Sequence, residues 1–233
     1  MISITLEAPG KNAMGTALME RVRAELRAAG GAPVLLVGAG DAFSAGLDLK
    51  EVASLDAPGM ARFLALLEEL VFDLYTYPGP TAACVNGHAI AGGCVLALTC
   101  DVRVMTASSA ARIGLSEVAL GLAFPPRVLN LARERIPRRY WEEVLLGAGL
   151  FEPARAAEIG LVDELASEPL GAARARLSAL GKHPPAAYAA TKRRLREGVL
   201  GPSPSEQARF EAEDLPRWTS SELKEKLRGI LKR

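Results

Sequence analysis

Ala42-Phe43-Ser44-Ala45-Gly46-Leu47-Asp48-Leu49 and, about forty residues on, Asn86-Gly87-His88-Ala89-Ile90-Ala91-Gly92-Gly93-Cys94 are the stretches from which the fold and the chemistry of this 233-residue chain are read. Each carries glycine where backbone can approach a ligand closely. Each also follows a short apolar run: Ala32-Pro33-Val34-Leu35-Leu36-Val37-Gly38 before the first, and Thr81-Ala82-Ala83-Cys84-Val85 before the second. Both runs fit strands buried on both faces. Between them Met60, Phe63, Leu64, Leu67, Leu70, Val71 and Leu74 recur at three- and four-residue spacing, which predicts a helix over 58–77 with one apolar face, ended by Pro78 and Pro80. Cys94 to Cys100 predicts a buried helix that starts at the glycines, and Asp101-Val102-Arg103-Val104-Met105 a returning strand.

This repeated order of strand, turn and helix predicts an α/β domain of consecutive crossover units. No G-x-G-x-x-G follows a strand, so the pattern is not that of a Rossmann domain. Beyond about residue 137 it turns helical, with helices expected over 138–147 and 153–159 and a brief strand or extended link over 161–165. After Gly171, Ala- and Arg-rich helices are broken at Pro184-Pro185 and at Gly201-Pro202-Ser203-Pro204. The expected organisation is a core over residues 1–165 that carries the site, followed over 166–233 by a helical region packing on the core or on a neighbour.

Lys+Arg of 28 against Asp+Glu of 27 leave a formal charge of +1, so no global field favours nucleic acid or an anionic membrane. No apolar run reaches the ~20 residues that span a bilayer. Met1-Ile2-Ser3-Ile4-Thr5-Leu6-Glu7 alternates like a strand and lacks the features of a signal peptide. Cys84, Cys94 and Cys100 are odd in number and lie in apolar surroundings, as reduced core residues do, which makes a cytoplasmic protein the expectation. The basic run Lys192-Arg193-Arg194 with Arg196 reads as a solvated helix face, with contact to a phosphate as the alternative. His88 reads as structural and His183 as exposed; two distant histidines and apolar cysteines provide no metal site.

The two glycine segments are equipped to aim one peptide N–H each at a single oxygen. Leu47, after Ala45-Gly46, is the first candidate donor, and Gly92, at a helix start where the free N–H carries the positive end of the dipole, is the second. Taken alone, the first segment reads as a strand-to-helix turn capped by Asp48, and the second as a close helix contact. Their tandem placement after buried strands favours an oxyanion hole, which stabilises charge developing on a carbonyl and suits a thioester or similar acyl compound. Glu117, within Ile113-Gly114-Leu115-Ser116-Glu117-Val118-Ala119-Leu120-Gly121, is the candidate proton handler, because apolar neighbours raise a carboxyl toward the working pH. Ser116 and Glu117 also read as an ordinary helix start.

With both segments and Glu117 assembled, residues 2 to about 165 resemble the crotonase, or enoyl-CoA hydratase/isomerase, superfamily. Asn12-Ala13 near the start and Ala156-Ala157-Glu158-Ile159-Gly160-Leu161-Val162-Asp163 near the end belong to the likeness. The resemblance implies a spiral of β-β-α units with a C-terminal helical region, and a homotrimer or dimer of trimers with C-terminal helices at protomer contacts. It further implies an acyl-CoA thioester substrate, no cofactor beyond the coenzyme A of that substrate, and N–H donors at Leu47 and Gly92. Ser44, Ala45, Gly46, Asp48, Lys50, Gly93 and Pro125 are the expected substrate-binding positions, Lys50 being a phosphate candidate because it follows the ligand loop.

Hydratases of that superfamily resemble one another in two glutamates, one three residues after the oxyanion glycine and one at the position of Glu117. Here the first position is Val95. Hydration needs one group to activate water and proton delivery at the α-carbon, and a valine does neither. Moving a double bond from the 3 to the 2 position needs a single base. Phe43 to Leu49, Ala91 to Cys94 with Ala97 to Asp101, Ile113 to Glu117, and Phe124-Pro125-Pro126 look like the Δ3,Δ2-enoyl-CoA isomerase branch. The expectation is therefore an enoyl-CoA isomerase, with a hydratase or other crotonase reaction as the alternative and a non-catalytic CoA-binding protein as the third reading.

Overall fold

Short apolar runs become parallel strands in the computed structural model, which describes residues 1–231. The strands are β1 (Ile2–Leu6), β2 (Val34–Gly38), β3 (Ala42–Ser44), β4 (Thr81–Val85), β5 (His88–Ile90), β6 (Val102–Thr106), β7 (Ile113–Gly114) and β8 (Glu164–Ala166). They form a five-stranded sheet in the order β1-β2-β4-β6-β8 and a three-stranded sheet in the order β3-β5-β7. Every named pairing in both is parallel.

The chain alternates between the sheets. β2 is followed by β3, β4 by β5 and β6 by β7, and helical segments come after each pair: Leu49–Ser54 with Ala57–Tyr75, then Gly92–Thr99, then the 3₁₀ turn Glu117–Leu120 with Pro126–Arg135. The result is the spiral of β-β-α units expected of the crotonase fold. Asn86 ties the first two corners together. Its Oδ1 accepts from Gly38 N at 3.0 Å while its Nδ2 donates to Gly38 O at 3.0 Å and to Gly40 O at 2.9 Å.

Helix Ala57–Tyr75 buries the apolar face read from its spacing, including Met60, Phe63, Leu67 and Leu74, and Asp56 caps it by accepting from Gly59 N at 2.8 Å. Helix Gly92–Thr99 is buried on all sides. A second core layer packs Ala173 and Leu177 of helix Pro169–Leu180 on Leu35, Ala82, Cys84, Val102 and Val104 of the large sheet. All three cysteines are free and buried, and burial pushes the thiols of Cys84 and Cys100 up to about 11 and about 12. Among the described residues no helix is long and apolar enough to cross a membrane. Where one helix was expected over 138–147, the chain forms a 3₁₀ turn, Arg138–Tyr140, and a π turn, Glu142–Leu146.

The basic run is only partly a solvated face. Arg193 and Arg194 are exposed, but Lys192 and Arg196 are buried, since four-residue spacing puts both on one side of helix Pro185–Arg196. Both reach Asp101, where Lys192 Nζ lies 2.8 Å from Oδ2 and Arg196 Nη2 lies 2.6 Å from Oδ1. The same carboxylate accepts from Thr81 N at 2.8 Å and from the Tyr188 hydroxyl at 2.9 Å. Burial raises the Asp101 carboxyl, but the two cations outweigh burial and hold it below the ordinary range. Asp101 thus fixes the start of β4 and the docking of the tail helix together. Asp101→Ala strands two buried cations, so urea denaturation is expected to show a loss of about 3–5 kcal/mol; a loss under about 1 kcal/mol, the scale of an exposed ion pair, would contradict that role.

Candidate active site

The ends of β3, β5 and β7 lie side by side, and each delivers one candidate group. Leu47 follows Ser44 by three residues, Gly92 follows Ile90 by two, and Glu117 follows Gly114 by three. β5 pairs with both neighbours, so the Gly92 segment lies between the other two.

Around the first group, backbone conformation is held from behind. Asn12 is buried with φ at 60°, and its Nδ2 donates to Ala39 O at 2.9 Å and Ala42 O at 2.8 Å. Its carbonyl accepts from the Ser44 hydroxyl at 2.8 Å, and Ser44 Oγ accepts in turn from Gly46 N at 3.2 Å. Gly46 has φ at 95°, a conformation that suits glycine. On either side of Leu47, Met14 N donates to Gly46 O at 2.7 Å and Asp48 N to Met14 O at 3.0 Å. The Leu47 N–H between them meets no acceptor among the described residues.

The second group rests on a strained residue. Ala91 has φ at 49° and ψ at −117°, an uncommon region for a side chain with a Cβ, held by Ala91 N donating to Gly114 O at 2.8 Å and by Val95 N donating to Ala91 O at 3.0 Å. That turn opens helix Gly92–Thr99, whose first N–H has no intrahelical acceptor. A Cβ on Gly92 would stand 2.3 Å from Met14 Cε, so the end of that side chain would have to shift, and 3.6 Å from Leu47 N, so the two amides are neighbours. Gly93 packs against the Ser44 carbonyl.

Glu117 opens the 3₁₀ turn without a side-chain cap from Ser116. It is 7% exposed, and its Oε2 has no hydrogen-bond partner among the described residues. Burial raises its carboxyl to about 7, against the opposing pull of its own and the Ser116 backbone N–H. A carboxyl at that value both takes and returns a proton near neutral pH.

Ala45, Leu47, Leu49, Ile90, Ala91, Ser116 and Glu117 line a cavity of about 370 Å³, closed from the tail by Trp218, Leu223, Leu227 and Ile230. Of the expected substrate positions, Ala45 stands in this wall, while Ser44, Gly46 and Gly93 lie behind it as backbone supports. Asp48 accepts from Lys50 N and Glu51 N as the cap of helix Leu49–Ser54, Lys50 is exposed beyond it, and Pro125 and Val95 are buried outside the lining. His88 Nδ1 accepts from Arg112 N at 3.1 Å, a structural bond, and His183 is exposed. A larger depression of about 550 Å³ lies at Asp101, Arg135 and Lys192, but its Arg and Lys side chains already donate to protein oxygens. The sequence leads one to expect pocket depth to be set by the helix over 58–77 and by the tail, without placing the residues; the tail supplies Trp218, Leu223, Leu227 and Ile230, the last three at helical spacing, while no residue of helix Ala57–Tyr75 stands in this lining.

Glu117 makes its own contribution to the pH dependence of stability. Its folded value, about 7, lies above the ordinary 4.5. Between these values the folded chain holds more protons than the unfolded one, so stability falls as pH rises, and the burial cost is fully present above about 7. Glu117→Gln carries no such cost. Denaturant titrations are expected to shift in favour of Glu117→Gln by about 2–3 kcal/mol between pH 5 and pH 8; an unchanged difference would contradict the buried carboxyl.

Comparison with known proteins agrees with this geometry. The profile of the enoyl-CoA hydratase/isomerase family matches residues 1–231. Enoyl-CoA delta isomerase 1, mitochondrial, of Rattus norvegicus is 39% identical over 126 residues, which are 54% of this chain and 44% of that protein. The chain thus spans less than half the length of that relative. A probable enoyl-CoA hydratase of Rhodobacter capsulatus is 36% identical over 204 residues, covering 83% of this chain and 73% of its own. The crystal structure of human mitochondrial delta3-delta2-enoyl-CoA isomerase shares the fold with a TM-score of 0.86 at 24% identity, over 100% of this chain and 93% of that one. This chain belongs to the enoyl-CoA hydratase/isomerase family, the crotonases.

Proposed function

We propose that the protein is an enoyl-CoA isomerase, moving the double bond of an acyl-CoA thioester from the 3 to the 2 position. The observation that carries this reading is Glu117: one buried carboxyl with an unpartnered oxygen, in the same cavity wall as Leu47 and close to two free amides, while valine stands at the position of the second hydratase glutamate. The Glu117 carboxylate removes a proton from C2. The C2 electron pair spreads into the thioester, whose oxygen accepts from the Leu47 and Gly92 N–H groups as it becomes an enolate oxygen. The conjugate acid of Glu117 then returns the proton at C4, the double bond settles between C2 and C3, and the enzyme is regenerated.

Ala45 contacts the acyl group in this reading, with Ser44, Gly46 and Gly93 holding the donors and Asp48 fixing the helix that presents Lys50 to the coenzyme A. Coenzyme A enters as part of the substrate and no further cofactor takes part. Assembly as a homotrimer or dimer of trimers belongs to the same proposal and is supported by exposed Leu146 and Leu195. A hydratase is the second reading, favoured by the hydratase relative; it lacks a second carboxyl at Val95.

Kinetics with 3-enoyl- and 2-enoyl-CoA esters of graded length test the choice. The wild type is expected to yield conjugated 2-enoyl product, and Glu117→Gln to lower kcat by ~10²–10⁴. Val95→Glu is expected to introduce hydration of 2-enoyl-CoA that the wild type lacks. Rapid hydration by the wild type, with no conjugated product from a 3-enoyl-CoA, would establish the hydratase reading instead.

A further inference from the structure

The cavity that holds Leu47 and Glu117 shares part of its wall with a second one. Leu120, Leu122 and Leu223 line the cavity of about 370 Å³, and the same three leucines line a neighbouring hollow of about 250 Å³ whose other walls come from Gly121, Arg217, Ser220 and Glu222. They form a partition between the two spaces. The reaction proposed above gives that partition no task.

Both sides of the partition are held in place. Leu122 N donates to Glu117 O at 3.1 Å, which ties one side to the catalytic turn. Leu223 stands near the start of helix Ser221–Leu231, where its N–H donates to Ser220 Oγ at 3.2 Å, and the next residue, Lys224, donates through Nζ to Leu55 O at 3.1 Å beyond helix Leu49–Ser54. Leu122 and Leu223 are both buried. Toward the partition the cavity is walled by Leu49, Val52, Leu120, Leu122, Leu223 and Leu227, whose side chains are all apolar. The amides of a coenzyme A arm would lose water there without a side-chain partner, whereas a hydrocarbon gains from burial. The acyl group, not the arm, therefore runs toward the partition.

We propose that Leu223, closing against Leu120 and Leu122, is the end stop of the acyl pocket and sets the longest chain that the site takes. Leu223 is then a specificity-determining residue. Leu223→Ala opens the partition and joins the second hollow to the first. The inference rests on the isomerase reading for the placing of the thioester at Leu47 and Gly92, from which the chain extends.

The test is binding of saturated thioesters, which do not isomerise. Titration calorimetry runs acyl-CoA esters from butanoyl to tetradecanoyl against wild type, Leu223→Ala and Leu227→Ala. Wild-type affinity is expected to rise about fourfold per added carbon while the chain is being buried, and then to stop rising or fall once it meets the partition. Leu223→Ala is expected to carry the rise to longer chains. Leu227→Ala truncates the same helix one turn on without touching the second hollow, and is expected to move the break by fewer carbons. A wild-type rise with no break, a break that Leu223→Ala leaves in place, or an equal or larger movement in Leu227→Ala overturns the proposal. Should Leu223→Ala fail to fold, the methyl ¹H–¹³C resonances of Leu223 in the wild type decide: they are expected to move with the longest chain before the break more than with butanoyl-CoA, and equal or absent movement overturns the proposal. A chain-length limit that follows Leu223 in a protein without isomerase activity would sink only the reaction proposed above, and isomerase activity with a limit indifferent to Leu223 would sink only this inference.

Discussion

Parallel strands in one sheet lie about 4.8 Å apart, so whatever follows their last residues is delivered side by side. In this chain that spacing assembles the site. β3, β5 and β7 pair in order, and the Leu47 amide, the Gly92 amide and the Glu117 carboxyl each leave within three residues of a strand end. The three groups are thus equivalent positions in three successive β-β-α units, not a chance meeting of distant loops. Keeping the strands in step falls to two asparagine side chains: half-buried Asn86 joins the first two corners, and buried Asn12 gathers the loop around β3.

Strain and burial work together at this edge. Ala91 is held at positive φ by two backbone hydrogen bonds, which leaves the Gly92 N–H at a helix start with nothing to donate to. An amide with no acceptor of its own has no hydrogen bond to break when charge develops on a bound oxygen. The tail completes the arrangement. Trp218, Leu223, Leu227 and Ile230 cover the cavity with apolar surface, and the exclusion of water that raises the Glu117 carboxyl also strengthens every hydrogen bond made inside.

Much of this was legible in the sequence where the signal is local. Apolar runs closed by glycine gave the parallel strands, three- and four-residue spacing gave helix Ala57–Tyr75, and the two glycine segments gave the positions of the free amides. Glu117 stood out by its apolar neighbours. What escaped sequence reasoning depends on partners far along the chain. Lys192 and Arg196 look like surface charges until Asp101, about ninety residues earlier, is seen to bury them. Trp218 closes a wall whose other side is built from residues 45–49, a return that composition does not encode. Asp48 shows the converse, since the plain reading as a helix cap is the one its hydrogen bonds display.

In the proposed reaction two main-chain amides from neighbouring strand ends grip one thioester oxygen. The most direct measurement of that grip is the ¹³C resonance of the thioester carbonyl in hexanoyl-CoA labelled at C1, free and bound to the wild-type protein. Polarisation by the Leu47 and Gly92 N–H groups predicts a downfield shift on binding that persists in Glu117→Gln, whose amides are untouched. A bound thioester whose carbonyl resonance stays at its free position would contradict the account.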